Sequence, residues 1–128
     1  MRKFIRTFGR GAIFVIYGWF GLLKVLGYSP AGPLVAALLA RTLPFITPDK
    51  FILCFGIFEI IIGVIFLFPR LRFLAFTLFA IHMILAVGPL ILLPGITWSK
   101  QFLIPTLEGQ YIIKNLALIA VVLNLTFD

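Results

Sequence analysis

The sequence contains few charged residues, and acidic residues are the scarcer kind. Its 128 residues include four Asp and Glu against eleven Lys and Arg, so that only 12% are charged. Soluble domains carry about 25% charged residues. The chain is also 62% hydrophobic, with a mean hydropathy of +1.20. This composition predicts a membrane protein with a single domain over residues 1–128.

Cysteine and histidine each occur once, which limits the chemistry open to the chain. The lone Cys54 cannot form an internal disulfide or a C-x-x-C redox motif, and we interpret it as a small buried hydrophobic residue. His82 alone cannot supply both ligands of a bis-histidine haem. The sequence also lacks zinc-ligand spacing, a dinucleotide fingerprint, a P-loop and a G-x-S-x-G motif. We therefore expect no metal site and no catalysis by this chain alone.

Charged residues and prolines divide the chain into four apolar segments. These predict membrane spans at about 11–27, 51–68, 73–93 and 111–127. Each approaches the roughly 20 residues needed to cross a hydrocarbon core. Because backbone groups in lipid must be satisfied internally, the spans should be helices. The expected fold is an all-α membrane protein, a four-transmembrane-helix antiparallel bundle.

The basic residues indicate the orientation of this bundle. With the N-terminus in the cytoplasm, the inner side holds Arg2, Lys3, Arg6, Arg10, Arg70 and Arg72, and the outer side holds Arg41, Lys50 and Lys100. This bias favours both termini inside. Since the basic residues lie at span ends, the net charge of +7 does not predict nucleic acid binding. The lipid bilayer is the expected partner.

The two outer loops and the inner turn differ in length. The stretch Pro33–Leu43 in the first outer loop predicts a short helix that lies at the interface or re-enters the membrane. In the second outer loop, Trp98 and Phe102 suit the headgroup level. The tight turn from Pro69 to Arg72 makes spans two and three an antiparallel hairpin.

Glu59 and His82 are predicted to meet near the middle of the membrane. Glu59 lies eleven residues before Arg70, and His82 lies ten after Arg72, so both sit about 15 Å from the inner surface. Small residues on their stripes would let these two helices approach closely; they are Gly56 and Gly63 beside Glu59, and Ala75 and Ala86 beside His82. The pair is either a proton-handling or ligand-binding site or a structural polar clamp.

Further polar residues could join this pair from the first and last spans. Arg10, Tyr17, Lys24 and Tyr28 share one face of the first span. Lys24 and Lys114 lie at similar heights, and each can reach Glu59 or extend outward to water. Tyr17, Tyr111 and Asn115 could line a cavity or bond between helices, while Glu108 could pair with Lys114 or cap a helix start. The candidate ligand-binding residues are Tyr17, Lys24, Glu59, His82, Tyr111, Lys114 and Asn115.

Several short motifs resemble those of DoxX-like membrane proteins. Gly21-Leu-Leu-Lys24 resembles their G-x-x-K, and Phe58-Glu59-Ile-Ile-Ile-Gly63 with the following Leu67 and Arg70 resembles a second motif. The runs Gly27–Val35 and Gly109–Asn115 are similar to the YkgB-type branch. The resemblance implies a small four-helix protein of a prokaryotic cytoplasmic membrane. Its group is linked to quinone-dependent sulfur oxidation, to membrane oxidoreductase complexes and, in distant animal relatives, to receptor assembly. Lys24, Glu59 and Lys114 match its pattern.

Three functions are compatible with these features. The first is an accessory membrane subunit that binds a quinone or a lipid and supports a redox partner, since quinone carbonyls accept hydrogen bonds and their reduction takes up protons. The second is a structural or assembly module of a membrane complex. The third is a small proton-coupled transporter, which with four helices would need a second copy of the chain.

Overall fold

The computed structural model describes residues 1–28, 32–99 and 104–127, with residues 107, 108 and 111 described by their backbone alone. These residues form α-helices joined by turns, with no strand among them. The helices are α1 (Arg2–Val25), α2 (Gly32–Thr42), α3 (Pro48–Phe66), α4 (Arg72–Val87), α5 (Pro89–Leu92), α6 (Pro94–Thr97), α7 (Leu107–Ile113) and α8 (Asn115–Phe127). The predicted all-helical class is confirmed.

Within the described residues, two helical stretches are long and apolar enough to cross a membrane. They are Arg2–Val25 and Pro69–Leu92, each 24 residues long. The helix α3 has 19 residues but carries Asp49 and Lys50 in its first turn besides Glu59. The last apolar segment differs from the prediction, because the helix breaks at Lys114 and leaves only 13 residues in α8.

The first helix is longer than predicted and ends at a glycine. It begins at Arg2, nine residues before the expected span. At its other end Gly27 has φ +83°, a left-handed conformation that glycine adopts without steric cost. The amides of Gly27 and Tyr28 bond to the carbonyls of Lys24 and Leu23 at 3.2 and 2.8 Å. This is a Schellman motif, which ends α1 and satisfies two of its terminal carbonyls.

Four helices surround one apolar core. Its buried members are Ile13 and Tyr17 from α1, Ile62 and Phe66 from α3, Ala75, Phe79 and Met83 from α4, and Val122 and Leu125 from α8. The outer faces are apolar as well, with Trp19 63%, Ile84 74% and Leu116 67% exposed. Helices that are hydrophobic all round are typical of membrane spans or of the core of a large protein.

Glycines bring α1 and α3 into close contact. A Cβ added at Gly56 would lie 2.7 Å from the carbonyl oxygen of Gly21, and one at Gly63 would lie 3.2 Å from that of Phe14. The expectation that this glycine stripe faces α4 is therefore wrong, because the stripe packs on α1. Helix α4 meets α3 instead through the 3-10 turn Pro69–Leu71 and the shared core.

The outer connections contain the predicted short helix and an ordered turn. Helix α2 spans Gly32–Thr42, which confirms a helix at the expected position. In the second connection the indole of Trp98 donates to the carbonyl of Leu90 at 3.0 Å, and the hydroxyl of Thr97 donates to that of Leu93 at 3.0 Å. Phe102 lies outside the described residues.

Candidate functional site

The predicted polar face of α1 turns toward the core. Arg10 and Tyr17 are buried, with 8% and 2% exposure, and the side chain of Lys24 is only 12% exposed. These residues follow one another at intervals of seven, so they lie on the same side of the helix. Tyr28 was expected on this face but is 74% exposed, because it follows the glycine that ends α1.

Lys24 forms an ion pair with Glu59. The ammonium Nζ lies 2.7 Å from the carboxylate Oε1, between two side chains that are 12% and 5% exposed. Of the two orientations left open for Lys24, the structure has the inward one. Oε1 has no hydrogen-bond partner among the described residues, so this contact is described as an ion pair. The pairing compensates the cost of burying a carboxylate.

His82 lies on the other side of the same carboxylate. Its Nε2 is 3.5 Å from Oε2 of Glu59, and the histidine and glutamate are 6% and 4% exposed. The predicted meeting of these two residues is confirmed. The distance is long for a hydrogen bond, and Nε2 has no such partner among the described residues.

Tyr17 completes a chain of polar groups through the core. Its hydroxyl lies 3.1 Å from Nδ1 of His82. A neutral histidine carries one ring proton, and the carboxylate beside Nε2 favours the proton on that nitrogen. Nδ1 then accepts a hydrogen bond from the Tyr17 hydroxyl. The order Lys24, Glu59, His82, Tyr17 thus connects α1, α3 and α4.

Aromatic rings enclose the histidine. Phe55 stacks on His82 with centroids 4.8 Å apart and planes at 16°. Phe51 stacks on Phe55 in turn, at 5.5 Å and 17°, and Tyr17 meets His82 edge-on at 4.9 Å. The role of Phe55 is absent from the predicted site. The signal was present, because Phe55 precedes Glu59 by one helical turn and so shares its face.

The remaining candidates are less closely connected to this cluster. Lys114 is exposed at the C-cap of α7, and Asn115 is half-buried at the start of α8, whereas the ion pairs of Glu59 among the described residues run to Lys24 and His82. The side chains of Tyr111 and Glu108 lie outside the described residues. Cys54 is exposed, so its interpretation as a buried residue is wrong.

The cluster is suited to holding and moving protons. It combines an amine, a carboxylate, an imidazole and a phenol in series, and the last three are nearly inaccessible to water. Within the described ranges, no three His, Cys, Asp or Glu side chains group together as metal ligands would.

Comparisons of the chain with protein-family models, with curated proteins and with solved structures give no match.

Proposed function

We propose that the chain is a DoxX-like protein that crosses a prokaryotic cytoplasmic membrane four times, with both termini inside. The outward apolar side chains of α1, α4 and α8 support a lipid environment. Helix α8 alone extends about 20 Å, whereas α7 and α8 in series supply the length of a full span. The basic residues near the N-terminus and at the turn between α3 and α4 favour this orientation.

Within that fold we propose an accessory subunit that binds a hydrophobic quinone and supports a redox partner. The observation that carries the proposal is the buried carboxylate of Glu59 between Lys24 and His82. A quinone carbonyl accepts hydrogen bonds, and the imidazole Nε2–H is a donor of the required kind. Reduction of a quinone also consumes protons, which the series of titratable groups would deliver.

The aromatic rings around His82 supply the apolar part of such a site. Phe51, Phe55 and His82 form a parallel stack. A quinone ring is planar and could stack on these rings or take the place of one of them. Offset stacking is a favoured arrangement of aromatic rings in proteins. The chain supplies binding and protons, while the electrons come from the partner.

Quinone binding by the purified full chain tests this function. The probe is a short-chain benzoquinone added to lipid nanodiscs that contain the protein, and the readout is its dissociation constant. Glu59→Gln should weaken binding at least about tenfold, since removal of a buried charge that pairs with both Lys24 and His82 costs that much. The control Thr77→Val alters an exposed hydroxyl of α4 that bonds to Phe73 and should leave the constant unchanged. No binding by the native chain, or equal binding by Glu59→Gln, would contradict the proposal.

A structural module is the second candidate, and one observation favours it. The ion pair of Lys24 and Glu59 joins α1 to α3 where Gly21 and Gly56 bring the two backbones together. Replacement of a buried ion pair by apolar residues is often neutral for stability. The double variant Lys24→Met/Glu59→Leu should therefore keep complex assembly intact if the pair is only a clamp, and should abolish quinone binding if the first proposal holds.

A further inference from the structure

A second group of charged residues lies at the cytoplasmic end of the proposed bundle. Arg6, Arg10, Arg72 and Thr126 line a pocket of about 440 Å³, together with apolar residues that include Phe73 and Leu125. Arg10 precedes Lys24 by fourteen residues of the same helix, a rise of about 21 Å. The pocket is therefore separate from the Glu59 cluster.

Arg10 is a buried cation held in place by two helix ends. It is 8% exposed, and its guanidinium donates to the carbonyl of Phe66 at 3.1 Å and to that of Leu125 at 3.3 Å. These carbonyls belong to the last turns of α3 and α8, where carbonyls lack intrahelical partners. A guanidinium has five N–H donors, so these two bonds leave capacity for an anion.

Two more guanidinium groups increase the positive charge at this place. Arg6 and Arg72 lie near enough to act electrostatically on Arg10, and all three line the pocket. Arg72 is additionally positioned by Phe73, whose ring centroid is 4.7 Å from its guanidinium carbon. The lining residues in the described part of the chain include no carboxylate. Guanidinium groups that line one pocket favour an anion as its ligand.

Thr126 contributes a buried hydroxyl to the same pocket. The residue is 4% exposed, and its Oγ1 has no hydrogen-bond partner among the described residues. Buried hydroxyl groups in proteins are usually paired, because an unmade hydrogen bond costs free energy. A ligand oxygen in the pocket would accept a hydrogen bond from this group.

We propose that the pocket binds a phosphate group, either that of an anionic phospholipid headgroup or free phosphate. Arginine suits phosphate because its planar fork of N–H groups matches two phosphate oxygens. Basic pockets between helices on the cytoplasmic side are also where anionic headgroups bind. The proposal does not depend on quinone binding, since the two sites share no lining residue.

Native mass spectrometry of the delipidated full chain in detergent tests the site. The probes are dihexanoyl-phosphatidylglycerol, inorganic phosphate, and dihexanoyl-phosphatidylcholine as the zwitterionic comparison. We expect phosphatidylglycerol to bind more tightly than phosphatidylcholine, and Arg72→Gln to weaken that binding about tenfold, as loss of a charge-assisted hydrogen bond does. Thr126→Val should weaken it about threefold on the same basis. If inorganic phosphate competes with the lipid, the site also binds free phosphate. If it does not compete, the site is specific for the lipid headgroup.

The matched control is Arg70→Gln. Arg70 is an exposed arginine on the same turn as Arg72, outside the pocket lining, and its loss should change binding less than twofold. Equal weakening by Arg70→Gln and Arg72→Gln would overturn the proposal, as would failure of both phosphatidylglycerol and inorganic phosphate to bind. Asp128 lies outside the described residues and carries a carboxylate that could compete. Binding seen only in Asp128→Asn would mean that the chain occupies its own pocket, and would also overturn the proposal. Thermal unfolding of each variant confirms that it is folded.

Discussion

Gly21 and Gly56 face each other where α1 and α3 cross. A Cβ at Gly21 would lie 2.5 Å from the carbonyl oxygen of Gly56, and a Cβ at Gly56 would lie 2.7 Å from that of Gly21. Both obstacles are backbone atoms, which cannot turn aside as a side chain does. The contact of these helices therefore requires glycine at both positions, and it brings Lys24 within reach of Glu59.

Alanine at this crossing should destabilise the protein. We expect Gly56→Ala to lower the free energy of unfolding by about 1–3 kcal/mol, the usual cost of overpacking. The control is Gly11→Ala, because a Cβ at Gly11 meets nothing within 4 Å and alanine in a helix is favoured by about 0.5–1 kcal/mol. Thermal unfolding in detergent measures both. Equal stability of the two variants would mean that the helices do not approach this closely.

Removal of one partner of the buried ion pair should cost more than removal of both. Glu59→Gln leaves the Lys24 ammonium without its counter-ion, and Lys24→Met leaves the Glu59 carboxylate without its own. Each variant should lower the free energy of unfolding by about 3–5 kcal/mol. The double variant Lys24→Met/Glu59→Gln should lose less stability than either single variant, because no unpaired charge is left buried. A double-mutant cycle on thermal or denaturant unfolding gives the coupling, and strict additivity would contradict a direct interaction.

The hydroxyl of Tyr17 should stabilise the protein through His82. Tyr17→Phe keeps the ring but leaves Nδ1 of the buried imidazole without a donor, at an expected cost of about 1–3 kcal/mol. Tyr28→Phe is the matched control, because Tyr28 is 74% exposed and surface changes usually stay within about 0.5 kcal/mol. The comparison uses the unfolding midpoints of the two variants. Similar midpoints would argue against the bond.

The proposed orientation predicts which positions a membrane-impermeant thiol reagent reaches. In a Cys54→Ser background, Lys50→Cys at the start of α3 should react in intact cells, whereas Arg70→Cys in the turn after α3 should react only after permeabilisation. Native Cys54 is exposed on α3 and should face lipid, so it should react poorly in both conditions. The opposite pattern at positions 50 and 70 would reverse the topology, and labelling of both in intact cells would contradict a span between them.

The meeting of Glu59 and His82 could be predicted because the turn between α3 and α4 is short. With a tight connection, the number of residues from the turn gives the distance of each side chain along its helix. Two residues at the same distance on adjacent antiparallel helices lie side by side when their faces match. The position of Lys24 could not be predicted in the same way. Its long side chain reaches either water or Glu59, and the contact of α1 with α3 decides between them.

The break at Lys114 and the arginine pocket also escaped prediction. Residues 111–127 are apolar enough to continue as one helix. Hydropathy therefore does not predict that α7 ends at Lys114. The sequence positions of Arg6, Arg10 and Arg72 indicate only the cytoplasmic side. Their assembly around one pocket depends on α8 ending beside the start of α1, a long-range contact that residue spacing does not contain.

Composition and spacing alone predict the helical class, the residues that share a helix face, and the equal distance of Glu59 and His82 from the turn between their helices. Helical periodicity depends on residues that are close in sequence, so the sequence alone predicts which residues share a helix face. The rotation of each helix about its own axis is set by packing against the others. Packing therefore turned the glycine stripe toward α1, closed Lys24 onto Glu59, stacked Phe55 on His82 and gathered three arginines around one pocket.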